Sequence, residues 1–365
     1  MSIVRGLAPA AILLLVLATA APQAQAAAPD YQALNAALVA DYVLPRYQAF
    51  AQATAALDGA LVEACADGRP TPDEAGPAYH AAMDAWMAVQ HLRFGPALLF
   101  LRYDRIEFWP DKRGVVARHL AQLLSGRDAQ ALEPQTFANG SVAVQGFPAL
   151  ERLIFDSEEA TWVSPFGCEV VRAIGGNLES IGADLLRDWR DGDKTFAKVV
   201  LGAGEGNAHY FDAKEAALDF AKALRGALLL VQDYKLGRPL GDTPDAARSS
   251  RAESWRSLRS LRNVAINLAA AQALYEGSGE TSVSATTRAQ PQGAELDATI
   301  RAALERLIAA VAAQPDSLVA ALEAPEGWQK LDAIRSEARQ LLELLGGPLS
   351  EVLGLPMGFN SYDGD

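Results

Sequence analysis

The chain has 365 residues, half of them apolar and 21% charged, enough for two average domains or one large one with a substantial core. That apolar content excludes disorder as the main state, and 29 glycines and 19 prolines without a period exclude a collagen-like chain. Asp and Glu number 45 against 32 Lys and Arg, a formal charge of −13, which argues against nucleic acid and anionic lipid, both of which need a basic face.

The N-terminus reads as an export signal over residues 1–26. Arg5 supplies the positive start, Ile12 to Leu17 the short apolar stretch, and Ala24-Gln25-Ala26 the small-x-small cleavage pattern. The stretch is too short to span a bilayer, and no cysteine follows it to take a lipid. The expectation is a periplasmic protein with no membrane span after signal removal. Cys65 and Cys168 are the two cysteines, so one pairing exists if they bond, and an oxidising compartment favours a disulfide over two separately buried thiols.

From Asp30 onward the apolar spacing is helical, and β-branched alternation is scarce. A first helix is predicted over 30–66 from Leu34, Leu38, Tyr42, Phe50, Leu57 and Leu61, with a kink at Pro45. Thr71-Pro72-Asp73-Glu74 combines a cap, a first-turn proline and a capping-box acid, opening a second helix that Gly95-Pro96 interrupts. Further helices are predicted near 114–125, 141–156, 165–190, 209–236, 252–276, 294–313 and 327–346. Breaks at 202–207, 237–250 and 277–293 read as loops, the last as the most mobile connection.

Trp86, Gln90 and Arg93 echo Trp255, Arg259 and Arg262, each trio spaced i, i+4, i+7 on one predicted helix face. With eight or nine helices this points to an all-α fold of two related bundles, residues 27–160 and 161–365.

No nucleophile-elbow, phosphate-loop, zincin or dinucleotide motif is present. His80 with Asp84 and His209 with Asp212 are two pairs that share a helix face; such pairs can bind a metal and more often are solvated hydrogen-bonding pairs. Three segments are unusual for a plain bundle: the aromatic and charged run Arg102 to Gly114, the Gly146-Phe147-Pro148 opening of a helix, and the tail Gly354 to Asp365. The tail is either an irregular strap or a return of Asn360, Asp363 and Asp365 to a polar site.

Gly146-Phe-Pro148-Ala-Leu-Glu151-Arg-Leu-Ile-Phe155 resembles the helix that carries the GxHxxE motif of the imelysin-like family. Trp86 to Pro96, Phe108-Trp109-Pro110-Asp111, Ser260-Leu-Arg262-Asn263 and Gly358 to Asp365 are similar, in the same order, to its predicted periplasmic branch. The resemblance implies two all-helical bundles with a site between them, export, and a link to iron uptake; the name-giving branch is classed as metallopeptidase. Here Pro148 stands where the motif histidine belongs, so one of two expected metal ligands is missing. Catalytic zinc typically needs three protein ligands, which sets peptidase activity below a binding role.

Three functions compete. The first is a binding or accessory protein of iron acquisition, whose partner is a metal ion or metal chelate together with envelope iron-uptake components. In that reading Glu151, Asp111, Asp363 and Asp365 offer oxygens to iron or another hard cation, Glu151 being the metal-ligand candidate. Arg93 and Arg262, if they converge, instead favour a carboxylate-bearing chelate, whereas pairing of Glu151 with Arg93 or Arg262 would leave its helix face purely structural. Gly146, Pro148, Trp109 and Asn263 complete the candidate site. The second function is a metallopeptidase with His119 or His209 as replacement ligand. The third is a non-catalytic envelope interaction protein with a decayed site.

Overall fold

The computed structural model describes residues 28–67, 72–156 and 164–356, and among these the chain forms helices and turns without a strand. The export signal, the boundary at residue 160 and the tail acids Asp363 and Asp365 lie outside the described residues. No described helix is long and apolar enough to cross a membrane.

The Asp30 carboxylate accepts from the Ala33 amide and opens α1 (Tyr31–Ala37), which passes through a π-helical turn (Leu38–Val43) into α2 (Leu44–Ala64). Pro45 is the second residue of α2, just after the π segment, with Val43 and Leu44 before it already helical, so it falls where one helical segment runs into the next. Then follow α3 (Pro72–Met87), α4 (Arg102–Ile106), α5 (Val115–Gly126), α6 (Pro134–Ala138) and α7 (Phe147–Phe155). The cap-plus-proline signal Ser164-Pro165 works as read: Ser164 accepts from the Gly167 amide at the head of α8 (Pro165–Arg190). After α9 (Phe196–Leu201), α10 (Ala213–Leu229) runs into a second π segment (Leu230–Gly237) and α11 (Arg238–Leu240). The remaining helices are α12 (Ser260–Glu276), α13 (Val283–Arg288), α14 (Gly293–Ala312), α15 (Leu318–Glu323), α16 (Gly327–Leu344) and α17 (Ser350–Val352).

Two of the expected segments differ. The helix expected over 252–276 begins only at Ser260, because Ser254 and Leu258 hold left-handed backbone (φ 51° and 56°) and turn the chain before it. Trp255, Arg259 and Arg262 therefore do not share a helix face, and Gln90 and Arg93 lie past the end of α3, so the echo between the halves has no common geometry. The second difference is α13 inside the expected mobile loop. Its polar residues are used internally: Ser282 caps it, and Ser284 and Arg288 bond the buried Asp297.

α2 packs along α8 and α3, while α10, α12, α14 and α16 pack on one another. The two sets do not follow the chain in simple succession: α1 lies on α10 of the later set, and α3 touches α12. One apolar core runs through both, from Leu34 to Leu355.

Cys65, at the end of α2, and Cys168, in the first turn of α8, form a disulfide with Cα atoms 5.6 Å apart. It closes a loop of sequence separation 103, for which the chain-entropy model gives about 4.7 kcal/mol as an upper figure. Reduction is expected to lower the thermal midpoint by several degrees without changing the helical circular-dichroism spectrum. An unchanged midpoint would show that native strain cancels the loop-closure term.

Candidate binding site

The strand-like turn between α4 and α5, residues 107–111, separates two clefts and forms a wall of each. The first, about 430 Å³, is lined by Arg93, Tyr103, Asp104, Lys112, Arg113 and Tyr234 among others. The second, about 270 Å³, is lined by Tyr79, Pro148, Glu151, Arg238, Arg251 and Glu253 among others. Glu107, Phe108, Trp109, Pro110 and Asp111 face both.

Local chemistry fixes this wall. Asp111 Oδ1 accepts from the Val115 amide at 2.8 Å and Oδ2 from the Val116 amide at 2.9 Å, so its carboxylate caps the start of α5. On the other side, the backbone of Gly146 touches the end of α4. A Cβ on Gly146 would lie 2.1 Å from the Ile106 carbonyl oxygen, so only a residue without a side chain lets α7 start there. Its φ of −130° is open to any residue, which makes the requirement one of space. α7 then carries Pro148, in its first turn, and Glu151 into the second cleft.

Glu151 is buried, and its Oε1 accepts from both the amide and the hydroxyl of Ser257, at 2.9 and 2.7 Å. Burial raises its carboxyl above the usual range, and the Ser257 bonds pull against that. The expected pairing of Glu151 with Arg93 or Arg262 is replaced by this serine, presented by the turn with left-handed Ser254 and Leu258. Backbone of that kind persists where its surroundings over-determine it, commonly at functional sites.

Behind the wall lies a group of buried charges that sequence reading missed. Lys235, on the second π segment, places Nζ 2.5 Å from Glu253 Oε2 and 3.0 Å from the Met87 sulfur. Asn263 Nδ2 donates to the same Oε2 at 2.5 Å, while Asn263 Oδ1 accepts from Arg259 Nε at 2.8 Å. Trp86 Nε1 donates to Glu107 Oε2 at 2.6 Å. Burial and then the Glu253 carboxylate hold Glu107 well above the ordinary carboxylate range, with Lys235 and the Trp86 bond pulling it down. Glu107 falls in the segment singled out by its density of aromatics and charges. Lys235 gave no comparable signal, since it follows Gln232 and Asp233 and reads as part of an ordinary solvated helix face.

The candidates are thus divided. Pro148, Glu151, Trp109 and Asp111 line the second cleft, Gly146 fixes the start of α7 against α4 beside it, and Asn263 anchors Glu253. Arg93 belongs to the first cleft, with its guanidinium over the Tyr103 ring at 4.3 Å. Arg262 lines neither: it sits half-exposed on α12 and pairs with Asp84 at 2.5 Å, because α12 starts later than expected and faces α3. The two arginines do not converge. Among the described residues no group of three or more His, Cys, Asp or Glu is placed to hold a metal ion. His119 bonds Ser141 in a separate cavity, His209 makes edge-to-face contacts with Phe196 and Tyr210, and the His80–Asp84 face is occupied by Arg259. Asp212 caps α10 through the Glu215 amide.

In place of the expected arginines the second cleft has its own. Arg256 is held by Asp156 at 2.8 Å and lies 4.2 Å over the Trp255 ring. Arg238 is half-buried, Arg251 is exposed, and neither has an ion-pair partner among the described residues.

The family model Imelysin matches residues 43–345, and the chain belongs to that family. No curated protein matches it. Among solved structures it is similar to an imelysin-like protein from Psychrobacter arcticum 273-4, with a TM-score of 0.73 and 20% identity over 91% of this chain and 100% of that one. It is also similar to a "putative iron-regulated protein A precursor" from Parabacteroides distasonis ATCC 8503, with a TM-score of 0.72 and 18% identity over 89% and 96%. At these identities the likeness shows the fold.

Proposed function

We propose that this is an exported binding protein of iron acquisition that takes a carboxylate-bearing iron chelate, rather than a bare ion, into the second cleft. The observation that carries the reading is the state of the cleft's charges. Its acids are engaged inside the protein: Asp111 by amides, Glu151 by Ser257, Glu253 by Lys235 and Asn263. Arg238, half-buried, and Arg251, exposed, line the same cleft and have no acid partner among the described residues. Guanidinium groups in that condition suit carboxylate, which they bind bidentately. The signal-like N-terminus supports export, and the name of the Parabacteroides neighbour supports the link to iron. The peptidase alternative has less support, since a replacement for the motif histidine is wanted and neither His119 nor His209 lines either cleft.

Calorimetry with ferric citrate tests the proposal. Saturable binding is expected, weakened at least tenfold, about 1.4 kcal/mol, by Arg238→Ala and by Arg251→Ala. Absence of binding, or equal affinity for iron-free citrate, would overturn it.

A further inference from the structure

The acid pair between the clefts presents a problem of balance. Glu107 and Glu253 are 4% and 2% exposed and both line the second cleft, and Glu253 is among the neighbours that raise the Glu107 carboxyl, by its charge and through a side-chain hydrogen bond. Two carboxylates bond only through a proton. Lys235 is bonded to Glu253 and no cation is bonded to Glu107 among the described residues, so two ionised acids would leave one buried negative charge uncompensated. Glu253 Oε1 is buried and receives no hydrogen bond from any donor group, although Oε2 receives two. The neutral acid Glu107 is the group in place to supply that bond. The other ionisable groups around the pair are Tyr79 of α3, Glu151 of α7 and Arg259, which is itself bonded to Asp84, His80 and Asn263. None of them adds a cation at Oε1.

We propose that Glu107 and Glu253 share one proton and form a subsite in which an ammonium group of the ligand takes the place of that proton. The direction in which burial moves Glu107 agrees with this. The inference rests on the reading of these clefts as the ligand site and adds to it that the ligand carries an amine besides its carboxylates. An ammonium fits better than a metal for two reasons. Hard cations want six or more oxygens, and among the described residues no third ligand joins this pair. Aromatic rings of Phe108, Trp109 and Tyr79 line the approach, and their faces attract organic cations. The lining charges also differ in burial by sign, with Glu107, Glu151 and Glu253 buried, Arg238 half-buried and Arg251 exposed, which suits a ligand with one ammonium and one carboxylate end. The exchange balances: R–NH3⁺ enters, the shared proton leaves to buffer, and both carboxylates are then ionised around two cations, Lys235 and the ligand.

Two measurements test this without any chelate. Infrared difference spectra at neutral pH, wild type minus Glu107→Gln, are expected to contain a protonated-carboxyl C=O band that persists in Glu151→Gln. Glu253→Gln, which alters the acceptor, is expected to shift the same band and serves if the first variant does not fold. No such band at neutral pH overturns the shared proton. Calorimetry of butylammonium chloride in two buffers of different ionisation enthalpy is expected to show one proton released per amine bound. Its affinity should rise up to tenfold per pH unit, with neither effect for sodium chloride or in Glu107→Gln. Amine binding without proton release overturns the exchange, as does absence of amine binding. Failure of ferric citrate to bind would remove the chelate reading and leave both of these results standing.

Discussion

Gly146→Ala is expected to lower stability by about 3 kcal/mol, the upper end for an overpacked site, and to abolish ligand binding. The added methyl would sit 2.1 Å from the Ile106 oxygen and 2.5 Å from the Arg105 oxygen, and both obstacles are backbone. Neither side can yield easily. Ile106 is fully buried, Arg105 is bonded to Gln145 at 2.6 Å and to Asn177 at 2.5 Å, and Asn177 returns a bond to the Gln145 carbonyl. Relief would require separating α4 from α7, which moves Glu107 and Glu151 apart and opens the wall between the clefts. Urea unfolding measures the loss. Gly59→Ala is the control: it lies within α2 with nothing within 4 Å of the new methyl, so helix propensity should make it stabilising by roughly 0.5–1 kcal/mol. Equal effects at the two positions would show that the contact at Gly146 is relieved at no cost.

Lys235→Met should be almost as damaging, at about 3–5 kcal/mol, the usual cost of removing one partner from a buried ion pair. The methionine fills similar space, so the loss is that of charge: Glu253 keeps Asn263 and loses its cation. The pH dependence follows from Glu107. Its folded-state carboxyl already lies above the unfolded value, and Lys235 is one of the groups holding it down. A raised folded value gives stability that is present below the unfolded carboxylate range and is lost as pH rises through the folded value. Removing Lys235 raises Glu107 further, so the penalty of the variant should be smaller at acid pH and grow towards alkaline pH. Urea titrations at several pH values check the sign, and a penalty independent of pH would contradict it. Adding Glu253→Gln to Lys235→Met should recover most of the loss, because the uncompensated charge goes with it.

The helices with strong local signals were legible residue by residue. Ser164-Pro165 opens α8 and the Gly277 break ends α12, because a cap or a breaker acts within one turn of itself. The same local rules failed at 252–259, where Ser257 is committed to Glu151 and Arg259 to His80 and Asp84, partners 106 to 179 residues away in sequence. They failed again at 277–293, where a Ser- and Thr-rich stretch folds because Asp297 accepts from Ser284 and Arg288.

The site divides along the same line. By itself the sequence determined the all-α class, the pairing open to Cys65 and Cys168 and the family resemblance, and it singled out Gly146, Glu151 and the 102–114 segment as candidates, since each is carried by composition, spacing or a short contiguous motif. Only the tertiary structure decided what those residues meet. It gave Glu151 a serine in place of an arginine, turned Asp111 into a cap, sent Arg262 to Asp84, and set Lys235 beside Glu253 and Glu107. Whether a carboxylate is free to bind a ligand depends on the donors that long-range packing brings within about 3 Å of it, and that distance is not encoded by neighbours in the chain.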